Sequence, residues 1–152
     1  MKKAIIFDLD GTLLDSTAAW EGLGERYLAG RGITPEQGLD EKLRCMALPD
    51  GSAYLKSAYS LPEPPDEILR DILRGIEEFY LSECPLKPGT QELLGLLSRR
   101  GVGISAATAG DERLARAALE RLGVLGYFSA LLTCEAVSYT HLRAHETGAY
   151  LV

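Results

Sequence analysis

The chain has 152 residues, of which 46% are hydrophobic and 25% are charged, and its formal net charge is −6. This composition is typical of one globular domain, or of a small domain with an insertion, and the acidic balance argues against a nucleic-acid partner. Three cysteines stand far apart in the sequence, at Cys45, Cys84 and Cys134. An odd and scattered set favours reduced thiols in the cytoplasm over a disulfide framework, and we expect each of them to fill core space.

The first predicted element is a strand over the apolar residues 4–7. This run is too short for a signal peptide or a membrane span, and it is typical of a buried strand in a parallel sheet. Side chains two apart on an extended backbone point the same way, so Asp8 and Asp10 would both face the crevice at the strand's carboxyl end. Paired carboxylates on a short turn suit Mg²⁺. Gly11 gives the turn its backbone freedom, and the Thr12 hydroxyl can orient a carboxylate or phosphate oxygen.

Residues 8–16 read Asp-Leu-Asp-Gly-Thr-Leu-Leu-Asp-Ser, and this segment resembles the first motif of the haloacid dehalogenase superfamily, in its phosphatase-like branch. The resemblance implies that Asp8 is a nucleophile, which takes the phosphoryl group as an aspartyl-phosphate, and that Asp10 is a general acid and base. It also implies that Asp8 and Asp10 hold Mg²⁺, the latter with its backbone carbonyl. The simpler alternative is a turn that only ends a strand, but the preceding strand and the following Thr12 argue against it.

Between residues 16 and 82 the apolar residues recur at helical spacing, with no strand-like run. We predict four helices here. The first runs through Trp20 and Leu28, the second opens with a capping box at residues 34–37, and Asp50 caps the third. The fourth carries an apolar stripe made of Ile68 or Leu69, Ile72, Leu73, Ile76, Phe79 and Tyr80.

Four helices inserted after the first strand would form a lid, and the resemblance implies a helical cap that excludes water and selects the substrate. The aromatic residues of this insertion either line that closure or, as is more common, pack in the cap's own core. They are Trp20, Tyr27, Tyr54 and Tyr59.

The remaining elements alternate between helix and strand. A leucine-rich helix stops at Gly101, a strand over 102–107 follows, Asp111 caps the next helix, and a third strand spans 129–134. This order predicts an α/β fold, with a Rossmann-like parallel sheet that is incomplete at about three core strands and an inserted α-helical cap. We assign residues 1–15 and 83–137 to the core and residues 16–82 to the cap.

Thr108, Ala109 and Gly110 follow the second strand and precede a helix. A hydroxyl at a strand's end, with free amides at a helix start, offers hydrogen-bond donors to an anion. The position of Thr108 resembles the family's second motif, a Ser or Thr that holds phosphoryl oxygens. A Thr after a strand is common, so this signal depends on the first motif. We predict that phosphate is bound by Thr108 and Ala109, together with Gly11 and Thr12.

The resemblance stops after the third strand, where family members continue to a Gly-Lys-Pro segment and a strand with acidic metal ligands. Residues 138–152 instead hold both histidines of the chain and no lysine. We predict that this tail is not native and that the native product is cut near Val137. Two further interpretations are disfavoured in such a tail, namely a metal site at His141, His145 and Glu146 and a replacement cation at Arg143.

These observations predict a cytoplasmic, Mg²⁺-dependent phosphatase that acts on a small phosphorylated metabolite, with no membrane or nucleic-acid partner and as a monomer. Without the lysine and the outer metal ligands, we expect this chain to have little or no turnover, and its first strand to lie at an exposed edge. Two alternatives stay open: a sugar-phosphate mutase of the beta-phosphoglucomutase type, and a non-catalytic protein that binds through its cap. A dehalogenase is disfavoured, since it has no need of Asp10.

Overall fold

Residues 16–83 form one compact unit, which interrupts the sequence of a second unit. The computed structural model describes residues 3–133. We call residues 16–83 the helical unit, and the described residues 3–15 and 84–133 the sheet unit. In chain order the elements are β1 (Ala4–Asp8), α1 (Thr17–Trp20), α2 (Leu23–Ala29), α3 (Leu39–Arg44), α4 (Leu48–Tyr59), α5 (Pro65–Ser82), α6 (Thr90–Arg99), β2 (Gly103–Thr108), α7 (Glu112–Arg121), a short 3-10 helix (Leu125–Tyr127) and β3 (Ala130–Thr133).

The sheet is parallel, as predicted, with the strand order β1-β2-β3. Asp8 lies opposite Ala107, and Thr108 lies opposite Thr133, so the carboxyl ends of all three strands meet at one edge. Thr108 is the last residue of β2 and not the first residue after it. Apolar side chains from both strands and helices fill the core of this unit, among them Leu9, Leu94, Ile104, Ala106, Ala118, Leu119 and Val124.

The burial predicted for the first strand is wrong. Among residues 3–133, β1 pairs with β2 alone and forms an edge of the sheet. Ile6 is 59% exposed, while Ile5 and Phe7 are half-buried. The physical reason is that a strand with one neighbour and one covered face buries only alternate residues. The expected exposed edge is therefore found within the described part of the chain.

The predicted first helix of the insertion is two helices. Gly22 separates α1 from α2 with a φ of 62°, a left-handed conformation that breaks a continuous helix. The Arg26 guanidinium then donates to the carbonyls of Ala18 and Ala19 and also to that of Glu21. These carbonyls belong to the end of α1 and the residue after it, so Arg26 supplies the partners that the interrupted helix lacks.

Both predicted caps in the helical unit are wrong. The second helix begins at Leu39 and not at residues 34–37, because Gly38 takes a left-handed φ of 80° just before it. The Glu36 carboxylate accepts hydrogen bonds from Lys42 (2.6 Å) and Tyr54 (2.6 Å). The next helix, α4, begins at Leu48, and Asp50 lies within its first turn. A carboxylate there still interacts favourably with the helix dipole.

The apolar stripe of α5 is confirmed at Ile68, Ile72, Ile76 and Tyr80, which are buried, whereas Leu73 is 44% exposed and lies outside it. Elsewhere in this unit, α2 packs closely on α3. A Cβ atom added to Gly24 would lie 2.3 Å from Cδ1 of Leu43, so only glycine fits there without a shift of that side chain. No helix within residues 3–133 is long and apolar enough to cross a membrane.

A polar cluster ties the end of α2 to α5 and the segment before it. Arg31 donates to Glu63 at 3.2 Å and to Asp71 at 2.9 Å, and its guanidinium carbon lies 3.7 Å from the centre of the Tyr27 ring. Burial raises the pKa of Tyr27, with the carboxylates of Glu63 and Asp71 adding to the rise and Arg31 opposing it. Tyr27 is therefore a packing residue of this unit.

The other predicted aromatic residues differ in environment. The hydroxyl of Tyr54 contacts Lys42 and Glu36, and the hydroxyl of Tyr59 accepts from the Glu36 amide at 2.9 Å. Trp20 is 49% exposed. Of the cysteines, Cys84 is buried as predicted, but Cys45 is exposed, since it follows the short helix α3 at the surface. Cys134 lies outside the described residues, as does the tail with His141, Arg143, His145 and Glu146.

Candidate active site

The turn after β1 is organised around one backbone carbonyl. Leu9 is fully buried, and its carbonyl accepts hydrogen bonds from the amides of Thr12 (3.2 Å), Leu13 (2.9 Å) and Leu14 (2.9 Å). Gly11 has a φ of 74°, which closes the turn, and its amide donates to the Leu14 carbonyl at 3.0 Å. The turn therefore holds Asp8 and Asp10 on either side of a rigid, buried residue.

Asp8 stands at the end of β1 and is exposed. The Thr12 hydroxyl donates to its Oδ2 at 3.0 Å. Because the Thr12 amide is already bound to Leu9, the hydroxyl is the group that this residue directs toward the carboxylate. The structure thus brings Asp8 and Thr12 together, while Gly11 contributes its backbone conformation.

Asp10 is joined to the end of β2. The Thr108 hydroxyl donates to Asp10 Oδ2 at 2.8 Å and accepts from the Gly110 amide at 2.9 Å. Thr108 is only 2% exposed, so this hydroxyl is held in place by its neighbours. Two of the predicted site residues, distant in sequence, therefore meet at the carboxyl edge of the sheet.

Gly110 is a site residue that sequence reasoning missed. A Cβ atom at this position would lie 3.3 Å from the Thr108 hydroxyl oxygen and 3.6 Å from Asp10 Oδ2. The first distance is shorter than ordinary van der Waals contact, so a side chain here would displace the Thr108 hydroxyl from its hydrogen bond with Asp10. The only sequence signal for it was a glycine between a strand and a helix.

The start of α7 corrects one expectation about phosphate binding. Asp111 caps α7 as predicted, since its side chain accepts from the amides of Arg113 (2.7 Å) and Leu114 (3.3 Å). Those two amides are thus used by the cap and are not the free donors that we expected. Ala109 instead lines a cavity of about 770 Å³, whose wall includes Arg113 and Arg116. Both arginines lie beside carboxylates, Arg113 at 4.0 Å from Asp111 and Arg116 at 2.9 Å from Glu112.

The segment at residues 85–87 contacts Asp15, which follows the turn after β1. The amide of Asp15 donates to the Pro85 carbonyl at 2.8 Å, and Lys87 Nζ lies 3.2 Å from Asp15 Oδ1. Neither contact was predicted. Cys84, which precedes Pro85, is fully buried, and burial raises the pKa of its thiol to about 11, with the nearby charge of Asp10 adding to the rise. The thiol is therefore kept protonated and inert.

The donor set at this edge consists of carboxylate oxygens. Within residues 3–133, no group of three or more His, Cys, Asp and Glu side chains is placed to hold a metal ion. Asp8 and Asp10 offer two carboxylates, one oxygen of each bound to a threonine hydroxyl. Such a set does not form a complete cage, but it fits Mg²⁺, which uses one or two carboxylates and fills its shell with water and substrate oxygens.

Comparison with known proteins gives matches along most of the chain. Residues 2–144 match the family described as haloacid dehalogenase-like hydrolases. The phosphoglycolate phosphatase of Agrobacterium fabrum is 32% identical over 135 residues, which cover 85% of this chain and 57% of that protein. The N-acetylmuramic acid 6-phosphate phosphatase of Pseudomonas aeruginosa is 29% identical, covering 80% of this chain and 54% of the relative. The chain thus spans about half the length of these curated relatives.

Solved structures agree in fold. A Thermotoga maritima protein, described as a candidate beta-phosphoglucomutase, superposes with a TM-score of 0.78 at 21% identity, covering 89% of this chain and 62% of its own. A hydrolase of the same superfamily from Geobacter sulfurreducens gives a TM-score of 0.69 at 22% identity, covering 97% of this chain and 72% of its own. At this level of identity, the likeness shows the fold alone.

Proposed function

Because the chain belongs to the haloacid dehalogenase-like hydrolase family, we propose that it is a phosphatase acting on a small phosphorylated metabolite through an aspartyl-phosphate on Asp8. One observation carries the proposal: Asp8 and Asp10 lie at the carboxyl edge of the sheet, each with a threonine hydroxyl on its carboxylate. The names of relatives at about 30% identity support phosphate-ester hydrolysis.

In the first proposed step, a carboxylate oxygen of Asp8 bonds to phosphorus while the bond from phosphorus to the substrate's ester oxygen breaks. Asp10, protonated at this stage, gives its proton to the departing oxygen, which leaves as an alcohol. We assign the attack to Oδ1 of Asp8, because Oδ2 accepts from Thr12.

In the second step, the Asp10 carboxylate takes a proton from a water molecule, whose oxygen bonds to phosphorus. The bond between phosphorus and Asp8 breaks, so inorganic phosphate leaves and the Asp8 carboxylate is restored. Thr108 orients Asp10 for both proton transfers, since its hydroxyl is bound to Oδ2. We propose that the turn at Ala109 contacts the phosphoryl oxygens. The single hydroxyl protons of Thr12 and Thr108 are donated to Asp8 and Asp10, so a phosphate contact of either hydroxyl stays a prediction from the sequence.

We propose that Mg²⁺ is held by Asp8 and by the backbone carbonyl of Asp10. When bound, the ion supplies positive charge that neutralises the phosphoryl oxygens during transfer. The support from this chain is the all-oxygen donor set described above. The helical unit is proposed as the cap. A cytoplasmic location also remains a proposal, supported by the free thiols of Cys45 and Cys84.

A sugar-phosphate mutase would use the same aspartate pair but keep the phosphate on the sugar. Release of inorganic phosphate from a sugar phosphate supports the phosphatase, whereas an isomerised sugar phosphate without phosphate release would support the mutase. The relatives reported above at 29% and 32% identity are named as phosphatases, which favours the first outcome. A monomeric state stays a prediction.

The covalent role of Asp8 can be tested separately from turnover. Beryllofluoride imitates a phosphoryl group on a carboxylate, and its bound fluorine signal is visible by NMR in the presence of Mg²⁺. We expect a bound signal with the unmodified chain and with Asp10→Asn, and none with Asp8→Asn. A bound signal that survives Asp8→Asn would exclude Asp8 as the nucleophile. Phosphate release from an aryl phosphate, lost in both variants, is the matching activity measurement.

A further inference from the structure

The helical unit contains a pocket that is lined by residues of this unit. Its volume is about 240 Å³. The wall is built from α1 to α5 and from the segment before α4, and it is mainly apolar, with Trp20, Leu23, Leu43, Met46, Leu48 and Leu55 as its main apolar contributors. Trp20 is 49% exposed, so one aromatic face of the wall is accessible from solvent.

The polar side chains of the wall already have partners. Asp40 accepts from the Gly22 amide at 2.8 Å and from Arg44 at 3.0 and 2.7 Å. Ser52 donates to the Leu48 carbonyl at 2.9 Å. A ligand that offers hydrogen-bonding groups would therefore have to break one of these contacts. An apolar ligand would lose nothing and would gain from leaving water.

A glycine keeps the pocket open. Gly51 lies on α4, is buried and forms part of the wall. A Cβ atom added there would lie 3.5 Å from Cδ2 of Leu43, an ordinary contact, so the position has room for a side chain. Glycine is unfavourable inside a helix, and nothing around Gly51 requires it sterically. The missing side chain leaves space that an apolar side chain would fill.

We propose that this pocket binds a free apolar ring compound of the size of benzene or indole. An apolar cavity of about 150 Å³ suffices to bind benzene, so a volume of about 240 Å³ is large enough for one ring with a substituent. The inference concerns the helical unit alone and does not rest on the proposed function. Its failure would leave the chemistry of Asp8 untouched.

The chain carries its own reporter, because Trp20 is its single tryptophan. Bromobenzene quenches tryptophan fluorescence on contact through its heavy atom. We expect quenching of the intact chain to saturate as bromobenzene is added, and benzene to relieve it by competition. Inorganic phosphate is expected to leave it unchanged. Quenching that stays linear up to the solubility limit would indicate random collision with an exposed indole and would overturn the proposal.

Two glycine variants make the test specific to the pocket. Gly51→Leu fills it, so we expect the dissociation constant for bromobenzene to rise by about tenfold or more. Gly75→Leu is the matched control, since Gly75 also lies within a helix and nothing is within 4 Å of its Cβ position. Its affinity should equal that of the unmodified chain. Equal affinities in all three proteins would refute the pocket as the binding site.

A milder variant covers the case in which Gly51→Leu does not fold. Gly51→Ala adds one methyl group at ordinary contact distance and favours the helix. Circular dichroism verifies the fold of each variant before titration. We expect Gly51→Ala to weaken bromobenzene binding by about threefold, because part of the volume is lost. Unchanged binding by a folded Gly51→Ala would contradict the proposal.

Discussion

The Thr108 hydroxyl donates a 2.8 Å hydrogen bond to Oδ2 of Asp10 and so joins the ends of two neighbouring strands. The Thr108 hydroxyl oxygen also accepts a hydrogen bond from the Gly110 amide, so the hydroxyl proton is directed toward Asp10. The orientation of the Asp10 carboxylate therefore depends on a residue 98 positions away in the sequence.

Replacing Thr108 with valine keeps the shape of the side chain but removes the hydroxyl. We expect the slow phosphate release of this chain to fall further, by about 100-fold in kcat, the usual effect of losing one positioned donor in an active site. Thr108→Ser keeps the hydroxyl and should stay close to the starting rate. A Thr108→Val protein with the original kcat, measured by initial rates of phosphate release, would show that the hydroxyl has no part in the reaction.

Gly24→Ala should weaken the helical unit. Its new methyl group would meet Cδ1 of Leu43 at 2.3 Å, so Leu43 must leave its present position. Overpacking of this kind costs about 1–2 kcal/mol of the free energy of unfolding, which urea denaturation would measure.

The control for this variant is Gly75→Ala. Gly75 is exposed within α5 and has nothing within 4 Å of its Cβ position. Alanine there is expected to stabilise the protein by up to about 1 kcal/mol through helix propensity. If both alanine variants shifted the urea midpoint in the same direction, the close packing of Gly24 on Leu43 could not be the cause.

The raised pKa of Tyr27 predicts how the free energy of unfolding changes at alkaline pH. Burial raises its pKa in the folded chain above the ordinary 10.0, so the folded state holds the phenol proton more tightly than the unfolded state does. This contribution is fully present below pH 10 and is lost as the pH rises through the folded pKa. We expect the urea midpoint to fall as the pH is raised above 10.

Tyr27→Phe removes the titrating group and should reduce that fall. The Tyr27 hydroxyl is also buried without a hydrogen-bond partner among the described residues, so its loss at pH 8 should be neutral or stabilising by up to about 1 kcal/mol. A marked loss of stability at pH 8 would mean that the hydroxyl has a partner after all, such as a bound water. Equilibrium unfolding of both proteins at pH 8 and above pH 10 tests these two expectations.

Thiol labelling separates Cys45 from Cys84. Cys45 is exposed, whereas Cys84 is buried with its pKa raised from 9.0 to about 11. At pH 8 this pKa makes the thiolate fraction of Cys84 about a hundredfold smaller than that of a thiol with a pKa of 9.0. Iodoacetamide should therefore modify Cys84 at least a hundredfold more slowly than such a thiol. Peptide mass spectrometry follows each cysteine, and urea should abolish the difference. Equal labelling rates in the native protein would contradict the burial of Cys84.

Much of the sheet unit was predictable because its signals are local. The run before Asp8 and the run before Thr108 each have a length and composition typical of strands, and Asp111 is a cap whose hydrogen bonds lie within its own helix. The helical unit was harder. The capping box at residues 34–37 is a valid local signal, but Gly38 takes a left-handed φ of 80° and the helix begins after it, at Leu39.

In the candidate active site, too, the local contacts were predictable and the long-range contacts were not. The pairing of Asp8 with Thr12 spans a single turn, and the sequence suggested it. Gly110 and the ion pair between Lys87 and Asp15 depend on distances between segments far apart in the chain, which no single segment reveals. Ile6 is a similar case, because its exposure depends on which strands flank β1 and not on its own hydrophobicity.

The three amides gathered on the Leu9 carbonyl have a consequence for protein engineering. The spacing of the two carboxylates is set by the backbone from residue 8 to residue 14 and not by the packing of the aspartates themselves. Grafting the pair onto another parallel sheet would therefore require transplanting the whole seven-residue loop, with a buried site for Leu9 beneath it and a threonine at the end of the neighbouring strand, as Thr108 is here. Two aspartates placed alone at the end of a foreign strand would not reproduce the arrangement.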